Sequence, residues 1–233
     1  MKALVFDTGP IITLTMNNLL WLLEQLKYQF RGEFYISPAV RREVIDKPLT
    51  TKKFKFEALQ VLKVLTKDVL KVAGDDEITQ KANLLLTLAN NLLYARGQNI
   101  KIVHYAEMEA LAVAIKFSAA AIVIDERTSR YLIESPERLR ERMQKKLHTE
   151  VRMDHDILRK FQQEIGSIKV IRSVELIIIA YEKGLLDLYT TEKESKIIPN
   201  LKPTLLEAVL WGAKLNGCAI SAEEIDSILG FET

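Results

Sequence analysis

The sequence predicts an α/β fold, a short central parallel sheet flanked by helices in three layers, and three observations carry that prediction. Short β-prone runs alternate with segments of helical periodicity. The runs are nearly all apolar, as strands are when both sheet faces are covered. Two of them end directly in an aspartate, Asp7 and Asp125.

The strands are expected at Ala3–Phe6, Glu33–Ile36, 120–124 and 168–171. After the first, Pro10 suits the opening turn of a helix carrying Ile11, Ile12, Leu14, Leu19, Leu20, Leu22 and Leu23. After the second, Ser37 is a helix cap and Pro38 a first helical residue, opening 39–45. Residues 54–97 read as helical throughout, with Leu59, Val61, Leu62 and Leu65, then Leu84, Leu85, Leu88, Leu92 and Leu93, at helix spacing. Asp75 and Asp76, after Gly74, suit a helix N-terminus. Residues 136–166 read as two helices, with Ser135–Pro136 as a start signal and Gly166 as a stop. A last pair is expected at 202–216 and from Ser221, where Ser221 and Glu224 form a capping box. The organisation is a single domain over 1–233, with a helical insert at about 135–166 and a C-terminal helical extension at about 202–233.

Composition narrows the function classes. At 48% hydrophobic and 27% charged residues, the 233-residue chain is an ordinary folding sequence, not a disordered one. The net charge of +2 announces no polyanion partner, so any nucleic-acid surface must come from local clusters of Lys and Arg. Cys218 is the one cysteine, which excludes an internal disulfide and a multi-cysteine zinc site. No apolar stretch reaches the roughly 18–20 residues of a membrane span, and the charged start does not read as a signal peptide. A cytoplasmic address without membrane contact is expected.

Ligand sites in open parallel sheets lie beyond the carboxyl ends of strands. Asp7 and Asp125, with Glu126 beside the latter, should emerge at one such edge; singly, each equally suits a helix cap. Glu43 lies in the helix opened by Pro38. Glu107 and Glu109 begin a helix of small apolar residues and project about 200° apart, so only one should face a given pocket. Arg127 and Arg130 follow Asp125 and can hold phosphate, though a helix surface is the commoner place for Arg. A denser basic run, Arg138, Arg140, Arg142, Lys145, Lys146, Arg152, Arg159 and Lys160 mixed with four acids, more often marks a solvated helix face than an RNA contact.

Four segments carry a family resemblance in chain order. Val5-Phe6-Asp7-Thr8-Gly9-Pro10 resembles the opening of PIN domains, and Ile36-Ser37-Pro38-Ala39-Val40-Arg41-Arg42-Glu43-Val44 their second motif. Ala106-Glu107-Met108-Glu109-Ala110 is similar to the third, with Ala106 where the family usually has glycine, and Ile124-Asp125-Glu126-Arg127 to the fourth. Residues 170–187 look like the closing strand and helix of toxin-type PIN ribonucleases, and 205–229 like the C-terminal extension of one subgroup. The resemblance implies a metal-dependent endoribonuclease in which Asp7, Glu43, Glu107 and Asp125 hold Mg²⁺ or Mn²⁺ and carry catalysis. Thr8, which would orient Asp7 or a bound water, and Glu109 and Glu126 are supporting residues; Arg127 and Arg130 contact RNA. It also implies a homodimer and, as a further partner, a small antitoxin protein. Hard carboxylate oxygens suit those ions, which relieve the repulsion between crowded acids. The alternative is a non-catalytic PIN-fold scaffold binding RNA or protein.

Overall fold

The computed structural model describes residues 2–232. In chain order the elements are β1 (Ala3–Phe6), α1 (Thr8–Met16), α2 (Leu22–Phe30), β2 (Glu33–Ile36), α3 (Pro38–Arg41), a π-helical segment (Arg42–Asp46), α4 (Lys47–Leu49), α5 (Lys55–Thr66) and β3 (Lys71–Val72). Next come α6 (Asp76–Leu92), β4 (Leu93–Ala95), β5 (Gln98–Asn99), α7 (Tyr105–Lys116), β6 (Ala121–Val123), α8 (Arg127–Glu134), α9 (Pro136–Leu147), β7 (Arg152–Met153) and α10 (His155–Ile165). The chain closes with β8 (Val170–Ile171), α11 (Ser173–Glu182), a 3₁₀ turn (Asp187–Tyr189), α12 (Glu192–Ser195), α13 (Leu201–Leu215) and α14 (Ala222–Glu232).

The five-stranded sheet has the order β3-β2-β1-β6-β8, and every pairing is parallel. Strand β1, with all four residues buried, sits at its centre. The chain moves outward from β1 through β2 and β3, then crosses to β6 and β8 on the other side. The topological switch therefore falls between β1 and β6, where the rule for open α/β sheets places a site. Helix α7 packs on this sheet, and its run from Ala110 to Ala114 is fully buried.

All four expected strands are present, and α13, α14 and the pair α9 and α10 fall where the spacing placed them. Three features differ. The helix expected to run from Pro10 through Leu23 breaks at Asn17–Asn18, where Asn18 adopts a left-handed backbone (φ 55°). Asparagine tolerates that region better than most residues. Within 54–97 lies β3, only two residues long, paired with Tyr35 and Ile36 of β2. Periodicity cannot reveal a strand that short. A second, antiparallel sheet of order β5-β4-β7 joins the end of α6 to the 136–166 segment.

The capping signals hold at Ser37 and Ser221, while Ser135 precedes α9 without a side-chain cap bond. Ser37 Oγ accepts the Val40 N–H at 3.2 Å, with Pro38 as the first helical residue. Ser221 and Glu224 exchange both bonds of a capping box, at 2.8 and 3.1 Å. Among the described residues no helix is long and apolar enough to cross a membrane.

The C-terminal extension is tied to the sheet. Ala219 N–H donates to the Asp125 carbonyl at 3.0 Å, and the Ala219 carbonyl accepts from Arg130 (3.3 Å) and Arg172 (3.2 Å). Helix α13 passes close to the end of α1, where any side chain at Gly212 would collide with the Asn17 amide. Asn216 donates to that same amide oxygen at 3.1 Å.

Candidate functional site

Strand pairing sets the site. Phe6 is in register with Val123, and the Asp7 N–H donates to the Val123 carbonyl at 3.0 Å, so Asp7 and Asp125 leave neighbouring strands at one edge. Gly9 permits the close approach, since a β-carbon there would lie 3.3 Å from that of Asp125.

Asp7 is 4% exposed, and its buried Oδ1 has no hydrogen-bond partner among the described residues. Burial lifts its pKa to about 7 from the ordinary 3.8, and the charges of Glu107 and Glu43 push the same way. The backbone N–H groups of Thr8 and Gly9 oppose the rise without cancelling it. An unsatisfied buried carboxylate oxygen is costly, and here two further acids make it worse.

Glu43 reaches this edge from the π-helical segment. A π-helix inserts one residue into the helical repeat, a feature often found at functional sites. The exposed Glu43 carboxylate accepts from the Thr8 hydroxyl at 2.6 Å. The Thr8 hydroxyl thus orients Glu43 rather than Asp7, and only its backbone serves Asp7.

Glu107 stands in the first turn of α7 and accepts the His104 N–H at 2.6 Å and the Ser129 hydroxyl at 2.8 Å. Burial raises its pKa, which those bonds lower and the charge of Glu126 raises again. Glu109 projects elsewhere, as the 200° offset predicts. It is buried and accepts the Ala39 N–H at 2.6 Å and the Tyr105 hydroxyl at 3.1 Å. Its contribution is to pin the start of α3, the helix that leads to Glu43.

Asp125 is 1% exposed and fully engaged. Its Oδ1 accepts the Ser173 N–H, and its Oδ2 accepts the Thr13 and Ser173 hydroxyls, each at 2.7 Å. Glu126 is the exposed neighbour. It caps α8 by accepting the Ser129 N–H at 2.9 Å and the Thr128 hydroxyl at 2.8 Å. Ser129 thus ties Glu126 and Glu107 together, one through its backbone and the other through its hydroxyl.

Arg127, half-buried at the first turn of α8, stays at this edge. Arg130 is not free: its side chain is 16% exposed, bonded to the Ala219 carbonyl and 3.8 Å from Glu134. Sequence reasoning missed Thr13, Ser129 and Ser173, the hydroxyls that hold the acids. Ser129 and Ser173 stand in helix first turns, where serine is common, and Thr13 is in the middle of α1; only long-range pairing distinguishes these three.

The donor set consists of hard oxygens, and Asp7 Oδ1 is an orphaned acceptor; both fit a divalent cation. Among the described residues, however, no three histidine, cysteine, aspartate or glutamate side chains are gathered into a ready metal cage. Glu43 and Glu107 are turned to their hydroxyl partners instead.

The fold and the charges of Glu107 and Glu43 acting on Asp7 define a class: α/β proteins with acidic side chains near the switch point of a parallel sheet. The sequence model for the PIN domain matches residues 3–135, more than half of the 233 residues, and the chain belongs to the PIN-domain family. The match ends before β8, so the fifth strand of the sheet and the Ser173 that holds Asp125 come from beyond it. No curated protein and no solved structure matches the chain.

Proposed function

We propose that this PIN domain is a metal-dependent endoribonuclease, with Asp7, Glu43 and Glu107 as the carboxylates that hold Mg²⁺ or Mn²⁺. The carrying observation is Asp7: a buried oxygen without a partner, on a carboxyl that two neighbouring acids push toward protonation. A bound divalent ion supplies Lewis-acid polarisation of the phosphodiester and lowers the pKa of attacking water. The chain's residues do the rest. Thr8 and Ser129 aim Glu43 and Glu107, Asp125 braces the β6 edge against α1 and α11, and Arg127 meets phosphate oxygens. Glu126, exposed beside Glu107, supplies a fourth carboxylate at this edge where Asp125 is already engaged. In this reading 1–233 works as one domain in the cytoplasm; the homodimer and small antitoxin implied by resemblance are its partners.

The competing reading is a scaffold that binds RNA or protein without cutting. Cleavage of mixed RNA with Mg²⁺ or Mn²⁺ separates the two. The nuclease reading expects cleavage that Asp7→Asn abolishes, together with thermal stabilisation by the metal that the variant loses. An ion at about 100 times its dissociation constant adds roughly 2.7 kcal/mol to the stability of a protein that binds it. Equal metal shifts in both proteins, with no cleavage in either, favour the scaffold.

A further inference from the structure

Beside the acidic edge lies a basic concavity that the catalytic reading does not use. Tyr131 of α8 and Arg138, Glu141, Arg142, Lys145 and Lys146 of α9 line an open cavity of about 740 Å³. On α9, Arg138, Arg142 and Lys145 recur at helical spacing and share one face, opposite in character to the buried Leu139 and Met143. Among the described residues none of these four cations has an ion-pair partner, whereas Arg140 on the adjoining face is paired with Glu137 at 2.8 Å. Tyr131 forms a half-buried wall of the cavity. It stands four residues beyond Arg127, about 6 Å along α8, and so on the same side of that helix.

We propose that this cavity is the track for a single RNA strand leaving the acidic edge, with phosphates on Arg138, Arg142, Lys145 and Lys146 and a base stacked on Tyr131. The proposal rests on the nuclease reading for its direction, since the track runs from Arg127 outward. A solvated helix face explains the charges, with the Glu141 carboxylate among them, but not the half-buried aromatic ring that shares their cavity. Cations that track a backbone beside an aromatic platform are the usual means of holding single strands without reading sequence. A duplex offers no unstacked base to Tyr131.

The test is binding of a fluorescein-labelled 12-nucleotide single-stranded RNA in EDTA, followed by anisotropy across a salt series. Four phosphate contacts correspond to a log–log salt slope of about 2.8 in magnitude, and two to about 1.4. The double variant Arg138→Gln/Arg142→Gln, at exposed positions, is expected to halve the slope and raise Kd at least tenfold. Tyr131→Ala is expected to weaken binding about tenfold with the slope unchanged, and Tyr131→Phe to bind as the wild type does. A wild-type Kd and slope in the double variant overturn the track, as does an equal loss for a duplex of the same length. The nuclease reading fails separately. Groove-dependent binding without metal-dependent cleavage keeps the track and removes the enzyme; cleavage unaffected by the groove variants does the reverse.

Discussion

Asp7 and Asp125 carry the same sequence signature, an apolar strand closing on an aspartate, and both are almost completely buried. Their surroundings are opposite. Asp125 has a donor for each role it can play, drawn from α1 and α11, and its neighbours from Cys218 to Ala219 close over it; burial beside the Asp125 charge pushes the Cys218 thiol up to about 12. Asp7 has an orphaned oxygen and two acids for company. The difference teaches that strand-end aspartates at one switch point need not share one task. One stabilises the fold, and the other is left costly to it. A buried polar group that the fold fails to satisfy is a place reserved for something else.

The largest effect expected from this contrast is on Asp125. Asp125→Ala strands the Thr13 hydroxyl, the Ser173 hydroxyl and the Ser173 N–H, and each buried donor left without an acceptor costs roughly 1–3 kcal/mol. Urea denaturation should show a loss of about 4 kcal/mol or more. Asp125→Asn keeps the shape and one acceptor, and the hydroxyls can turn to accept from its amide, so its loss should be less than half as large. A variant within about 1 kcal/mol of wild type would mean that Asp125 is not a brace.

Asp7 should behave in the reverse sense. In the fold it keeps its proton to about pH 7, against 3.8 for an ordinary aspartate. The native state therefore binds more protons than the unfolded state across that window. Stability is lost as pH rises through it, by an amount on the order of 4 kcal/mol for about three pKa units. The amide introduced by Asp7→Asn has no charge to bury. Without metal, that variant should be more stable than wild type at pH 8, while the two converge near pH 4. Melting temperatures measured in EDTA at both pH values check this. A variant less stable than wild type at pH 8 breaks the contrast.

The contrast explains what could be read from the chain and what could not. The strands, the switch-point edge and the two strand-end aspartates follow from runs of Val, Ile, Leu and Phe that stop at a carboxylate, signals confined to a few adjacent residues; Glu43 and Glu107, on helices, are singled out by resemblance. The division of labour depends on partners far away in sequence: Thr13 lies 112 positions from Asp125, Ser173 lies 48, and Thr8 lies 35 from Glu43. No local pattern encodes those distances. The same holds for Arg130, which reads as a phosphate ligand until Ala219 supplies it with a carbonyl. The π-helical turn at Glu43 is equally silent, since Arg-Glu-Val-Ile-Asp has nothing in its composition that demands it.

The smallest effect on stability, and the sharpest on mechanism, belongs to Thr8. Its bond to Glu43 at 2.6 Å is exposed, so removing it costs the fold no more than about 1 kcal/mol. If Glu43 holds metal, that bond fixes which way its carboxylate points. Thr8→Val, which keeps the shape and deletes the hydroxyl, should then lower metal-dependent cleavage about tenfold and weaken metal-induced thermal stabilisation, leaving the metal-free melting temperature within roughly 3 °C. Thr8→Ser restores the hydroxyl and should recover both. Recovery by serine distinguishes an orienting hydroxyl from a methyl that merely fills space. If valine and serine variants both matched wild type in cleavage, Glu43 would be oriented by something other than Thr8, and the three-carboxylate centre would lose the side chain that aims one of its members.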